Sequence, residues 1–170
     1  MARRTGLREF QLAVAERLRT ASSRTAVSSK LGFQVGDDNW FVALHQVSEV
    51  IPIPTLVQVP LTHSWFRGVA NVRGNLYGMV DLSAYRGGDP IGPGMERRVI
   101  LVSDRLVAGS GLLVSRMLGL RNPEQFIPAA RPVDAPAWLA AAYTDAGGSR
   151  WLELDLPLLV REQRFLEVGA

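Results

Sequence analysis

The stretch FRGVANVRGNLYGMVDL, Phe66 to Leu82, constrains the fold more than any other part of the chain. Its apolar residues fall in two short bursts, Val69–Val72 and Leu76–Leu82, on either side of Arg73-Gly74-Asn75. Val69 and Val72 are β-branched, and Met79, Val80 and Leu82 suit a pleated, buried surface. Gly74-Asn75 offers two residues that tolerate positive φ, the requirement of a tight hairpin turn. The pattern predicts strand, turn, strand. Between Gly68 and Leu82 the formal charges are Arg73, at the lip of the turn, and Asp81, near the end of the second strand.

The segments around this hairpin also read as strands. Leu31, Phe33 and Val35 alternate strictly, Gly36-Asp37-Asp38-Asn39 makes a polar turn, and Trp40–Leu44 begins a returning strand. Val47–Ile53 forms a third. Pro52, Pro54 and Pro60 stop regular pairing, which makes residues 54–64 a surface loop or short helical turn. Gly87–Gly94, GGDPIGPG, is the strongest linker signal and is expected to be exposed and to be the exchange point between two β modules. Arg97–Val102, Arg105–Ala108 and Gly111–Ser115 are predicted as short strands. Residues 121–136, with Pro123, Pro128, Pro132 and Pro136, are predicted irregular. Trp138–Tyr143 and Arg150–Leu156 read as a last hairpin, closed by Asp145-Ala146-Gly147-Gly148. A helix at Leu156–Arg161 and a tail, Phe165-Leu166, that packs back would follow. Roughly ten short strands with few helical stretches argue for closed or nearly closed β barrels. No internal repeat is visible.

Ahead of these strands, GLREFQLAVAERLRT at residues 6–20 places Leu7, Phe10, Val14 and Leu18 at helical spacing, which predicts a basic amphipathic helix. It can dock on the body, lie on an anionic surface or bind a partner. Ala21–Lys30 is a Ser-rich linker. The net charge of +3 belongs to this arm: residues 1–30 carry seven basic side chains against Glu9 and Glu16, and residues 31–170 sum to −2. A barrel that binds nucleic acid, the reading from another functional class, therefore loses most of its electrostatic support. A chain of 170 residues can bury one core, as a single domain or as two small lobes that share it. The absence of an apolar h-region and of any membrane-length apolar run points to a cytosolic protein.

Residues for catalysis are not gathered in the sequence. With no cysteine, disulfides, thiolate catalysis and Cys-based zinc sites are excluded. The histidines, His45 and His63, have no ligand partner at i+2 or i+4 and read as edge or loop residues. Ala108-Gly109-Ser110-Gly111-Leu112 fails the nucleophile-elbow pattern, and Gly92-Pro93-Gly94 is neither a dinucleotide loop nor a P-loop. Trp40, Trp65, Trp138 and Trp151 lie along predicted strands without interleaved basic residues and read as core and rim packing. No metal and no cofactor are expected, and the chain is not read as an enzyme.

Gly68-Val69-Ala70-Asn71-Val72-Arg73-Gly74, followed by Val80-Asp81-Leu82, resembles the GVxNLRGxxxPVxDL signature of the CheW family, with Gly78 where many relatives carry proline. The flanking GFQVGDDNWFVALHQVSEVIPIP resembles the family's first strands, including the V-x-E-V/I element at Val47, Glu49 and Val50. GLLVSRMLGL resembles its GLxVDxVxxV, with Ser115 in place of the aspartate. The resemblance implies an all-β fold over residues 31–168: two small intertwined SH3-like five-stranded barrels that share a hydrophobic seam. An N-terminal helix and a short C-terminal helix would complete the chain. It implies a non-catalytic adaptor that couples a methyl-accepting chemoreceptor's cytoplasmic tip to the regulatory domain of a CheA-type histidine kinase. Such a protein is cytoplasmic and reaches membrane-bound receptor arrays through its partners. LREFQ and LAERLR-like residues near the N-terminus, with WFRGVANVRGNLYG, resemble the branch that controls type IV pili and twitching motility; flagellar chemotaxis is the alternative. The partner-binding residues expected are Val47, Glu49, Val69, Asn71, Arg73, Gly74 and Asp81, with Val47, Glu49, Val69 and Arg73 the candidates for the receptor tip. A charge on a half-buried strand needs an opposite charge or a wet rim, so Glu49 and Arg73 are expected to form an ion pair on one barrel face.

Overall fold

A computed structural model describes residues 29–170; the helix expected at residues 6–20 lies outside them. Eleven strands form two sheets, β1 (Lys30–Val35), β2 (Asp38–Ala43), β3 (Val47–Pro52), β4 (Phe66–Val72), β5 (Asn75–Asp81), β6 (Arg98–Val102), β7 (Ser110–Val114), β8 (Arg116–Arg121), β9 (Ile127–Ala129), β10 (Leu139–Thr144) and β11 (Arg150–Leu154). Three one-turn helices, α1 (Leu82–Tyr85), α2 (Leu156–Leu159) and α3 (Gln163–Leu166), seal their ends. One sheet runs β8-β1-β2-β11-β10-β9 and the other β3-β6-β7-β5-β4. The fold is the expected pair of β lobes, with six strands rather than five in the first. The extra strand, β9, falls in the proline-rich stretch 121–136, where Pro128 sits on an outer strand that tolerates a missing donor.

Hydrophobic alternation explains the layers. Leu31, Phe33 and Val35 of β1 all point into the seam, with Trp40 and Val42 of β2 beside them. β6 and β7 are apolar on both faces. Ile100, Val102, Leu112 and Val114 enter the seam, while Val99, Leu101 and Leu113 fill the five-stranded lobe with Tyr77 and Met79. Burial on both faces is the reason that RVILV and SGLLV read as continuous apolar runs. Tyr85 joins the lobes through rings, with centroids 5.0 Å from Trp65, 5.8 Å from Phe165 and 6.1 Å from Trp138. The four tryptophans are buried, as core residues.

Three expectations are corrected. Gly87–Gly94 joins β5 to β6 within the same sheet, so it is not the exchange point. The chain passes between lobes at residues 44–46, a 3-10 turn, and again at Ser115. These crossings are short and carry no glycine-proline run, because strands that share a seam need little chain to change sheets. The segment is exposed apart from Ile91, whose side chain returns to the core and whose N–H donates to Asp81 Oδ2 at 2.9 Å. Arg105–Ala108 is turn and not strand: Ser103 O accepts from both Leu106 N and Val107 N, which closes the chain on itself. The signature turn is Arg73-Gly74, not Gly74-Asn75, and Asn75 is already paired with Val72.

The β10–β11 hairpin supplies a pH test. The Asp145 carboxylate accepts from the Trp151 indole and from the N–H groups of Ser149 and Gly147, each at 2.9 Å. These bonds, the indole's first, hold its pKa below the usual aspartate value. A depressed carboxylate stabilises the fold above the ordinary value, about pH 4, and loses that contribution as the pH falls through the depressed one. Trp151 fluorescence should therefore change in that acid window. Asp145→Asn should remove the change while leaving the fold intact.

Candidate functional site

The signature hairpin begins with its turn. Arg73 has φ 52° and Gly74 has φ 88°, and positive φ at both central residues is the type I′ geometry that matches strand twist. The Asn71 side-chain oxygen accepts from Gly74 N at 2.8 Å, which fixes the turn from below. An arginine held in the left-handed region is uncommon, and its side chain has a partner that uses the geometry. Arg73 Nη1 and Nη2 donate to Glu49 Oε2 and Oε1 at 2.8 and 2.7 Å, a fork-to-fork pair. Glu49 belongs to β3 and Arg73 to the β4–β5 turn, and β3 and β4 are the two outer strands of their sheet. The ion pair therefore spans the edges of the sheet and closes the mouth of the five-stranded barrel. The expected pairing of Glu49 with Arg73 is present.

The outer face of this hairpin is apolar. Along β5 it runs from Val80 in the seam, through Gly78, to Leu76, which is 66% exposed. A Cβ on Gly78 would stand 3.0 Å from the Phe66 ring, so glycine lets that ring lie flat across the strand. Val69 faces outward beside it, and its backbone pairs in both directions with Val57, at 2.8 and 2.9 Å. Val57 is 62% exposed. Gly68, at φ 113°, is required by that approach: a Cβ there would fall 2.2 Å from Val57 O. The loop at residues 54–64 thus lies directly on the β4 edge.

The structure divides the predicted site residues into groups. Glu49, Asn71, Arg73 and Gly74 meet at the barrel mouth, and Val69 lies on the adjoining outer face. Val47 is elsewhere: at the first lobe crossing, partly buried against the seam, as is Leu44 of the same crossing. Asp81 is misassigned as a partner contact. Its side chain is 0% exposed and accepts from Ser83 N, Ala84 N, Ile91 N and, at 3.3 Å, Arg67 Nη1. It caps α1 and anchors the 87–94 segment. Sequence reasoning did not single out Val57 and Leu76, because an exposed apolar residue on a strand or loop has the same pattern as a core one. Among the described residues no group of three or more histidine, aspartate or glutamate side chains can hold a metal ion. His45 is exposed in the crossing, and His63 stacks on Trp65 at 5.5 Å.

A model of the CheW-like domain matches residues 30–164, which include both lobes, the signature hairpin and the crossings. The chain belongs to the CheW-like family. Protein PilI of Pseudomonas aeruginosa is 29% identical over 144 residues, which span 84% of this chain and 80% of PilI. The crystal structure of the scaffolding protein TtCheW from Thermoanaerobacter tengcongensis superposes with a TM-score of 0.66 at 18% identity. That match covers 81% of this chain and 94% of TtCheW, and it shares the two-lobed fold. The CheW-like chain is a non-catalytic scaffold adaptor. Among the described residues no helix is long and apolar enough to cross a membrane.

Two charges of the hairpin separate function from stability. Arg73 is 74% exposed, and exposed pairs contribute about 0–1 kcal/mol. Arg73→Ala should leave the melting temperature nearly unchanged and weaken partner assembly. Asp81→Ala strands several buried donors and should lower stability by more than about 3 kcal/mol. Thermal melts alongside a partner pull-down check both. A reversal of the two melts would contradict the division.

Proposed function

We propose that this adaptor couples a methyl-accepting chemoreceptor to a CheA-type histidine kinase through two separate surfaces. The kinase's regulatory domain takes the outer face of the signature hairpin, where Val57, Val69 and Leu76 leave an apolar strip beside the Glu49–Arg73 pair. The observation that carries this reading is that strip: an exposed apolar face on the most family-specific segment, held rigid by an ion pair worth little to stability. Exposed apolar strands flanked by charge suit docking of another β domain. The receptor tip takes the lobe junction. There, at the Ser115 crossing, Met117 stays partly exposed above the seam, and a shallow groove is lined by Met95, Glu96, Arg98, Arg116, Met117 and Leu118. Methionines adapt to a helical partner, and the arginines suit acidic residues on it.

The pilus branch of the family is the preferred system, supported by the motif resemblance and by the identity to PilI. On this reading the protein works in the cytoplasm and joins membrane-bound receptor arrays through its partners, with no chemistry of its own. Its value lies in geometry: two docking faces on one rigid core keep receptor and kinase in register.

Charge placed on each face tests the assignment. Leu76→Glu should weaken binding of the kinase regulatory domain at least about tenfold and spare a receptor-tip fragment. Met117→Glu should do the reverse. Titration calorimetry of both variants against both partners reads the four affinities. If both variants kept full affinity for both partners, the faces would have to be placed elsewhere.

A further inference from the structure

Among the described residues, 168–170 join the seam to the loop at residues 54–64, as Trp65 and Phe66 do from the loop's own end in sequence. Val168 packs against the seam cluster next to Phe165, which is itself buried there. From that root the chain runs antiparallel to Leu61–His63. His63 N–H donates to Val168 O and Ala170 N–H donates to Leu61 O, both at 2.9 Å, with Thr62 opposite Gly169. The loop is held at its other end by the reciprocal Val57–Val69 bonds on the β4 edge. Between these two fixings Leu61 sits at φ 57° and is 87% exposed. A leucine adopts the left-handed region when its surroundings over-determine the backbone. Here the surroundings are the strap on one side and Thr62, whose hydroxyl donates to Val59 O at 2.8 Å, on the other.

We infer that Val168–Ala170 form a strap that couples the inter-lobe seam to the exposed loop beside the signature hairpin. The strap is the continuation of α2 and α3, which pack on the seam through Leu156, Leu159 and Phe165. A change in seam packing therefore reaches His63 and Leu61 through a fixed backbone ladder, and then Val57 on the β4 edge. Resting on the reading above, this supplies a mechanical route from the receptor groove at the lobe junction to the face offered to the kinase.

Amide exchange in the full chain tests the strap without any partner. Two variants are used: one that stops after Glu167, and Ala170→Pro, which removes a single donor from an exposed position. Exchange of the Val57 and Val69 amides, which make no bond to the strap, should accelerate at least about tenfold in the shortened chain and less in Ala170→Pro. The Leu112 and Leu113 amides of β7 should keep their protection. Unchanged exchange at Val57 and Val69 in both variants would overturn the strap, as would equal acceleration at β7, which marks general destabilisation. Affinity of the shortened chain for the kinase regulatory domain should fall several-fold, about threefold or more. Full affinity despite faster exchange would overturn the route to the kinase. The kinase face itself is judged separately by Leu76→Glu.

Discussion

The structure depends on two strands that are buried on both faces. β6 and β7 send one set of side chains into the five-stranded lobe and the alternate set into the seam. Val99, Leu101 and Leu113 thus face one core while Ile100, Val102, Leu112 and Val114 face the other. The two lobes are consequently one packed body. Neither can lose its shared wall and stay folded, because each strand's period of two assigns half of its apolar surface to the neighbour. An adaptor with no chemistry needs this property. Two docking faces keep a fixed relation when the core between them is close-packed and resists deformation.

Charge is distributed accordingly. Asp81 is wholly buried and spends its acceptors on α1, the 87–94 segment and Arg67, so it belongs to the frame. Glu49 and Arg73 make shorter hydrogen bonds, yet Arg73 stands in solvent at the barrel mouth over a half-buried Glu49, and an exposed pair of this kind contributes little to the fold. Glu49 and Asp81, acidic residues of two separate family motifs, thereby have opposite roles, and burial decides which is which. The signature glycines divide in the same way. Gly74 serves the turn, whereas Gly68 admits the loop backbone against β4.

Much of this was legible in the sequence, for physical reasons that can be named. The alternation of Leu31, Phe33 and Val35 and the turn signals between short strands made the all-β fold readable, whereas the pair of barrels was implied by the family resemblance. The Glu49–Arg73 pair was readable because a charge in an otherwise apolar strand requires a partner or a wet rim. The lobe exchange was not. Glycine and proline at residues 87–94 signal exposure, not topology, and the true crossings at residues 44–46 and Ser115 lack any breaker signature. Asp81 was misread because a capping aspartate and a surface aspartate look alike before burial is known. The turn slipped by one residue because glycine was weighed more heavily than an arginine that pays the cost of positive φ through two hydrogen bonds to Glu49.

The central claim is that the receptor and kinase surfaces are separate and open at the same time. Light scattering after gel filtration measures this directly, with the full chain, a kinase regulatory domain and a receptor-tip fragment mixed together. The account predicts a ternary complex whose mass includes all three components, with the kinase domain retained as the receptor fragment is raised to saturation. Displacement of one partner by the other, leaving only binary complexes, would contradict it.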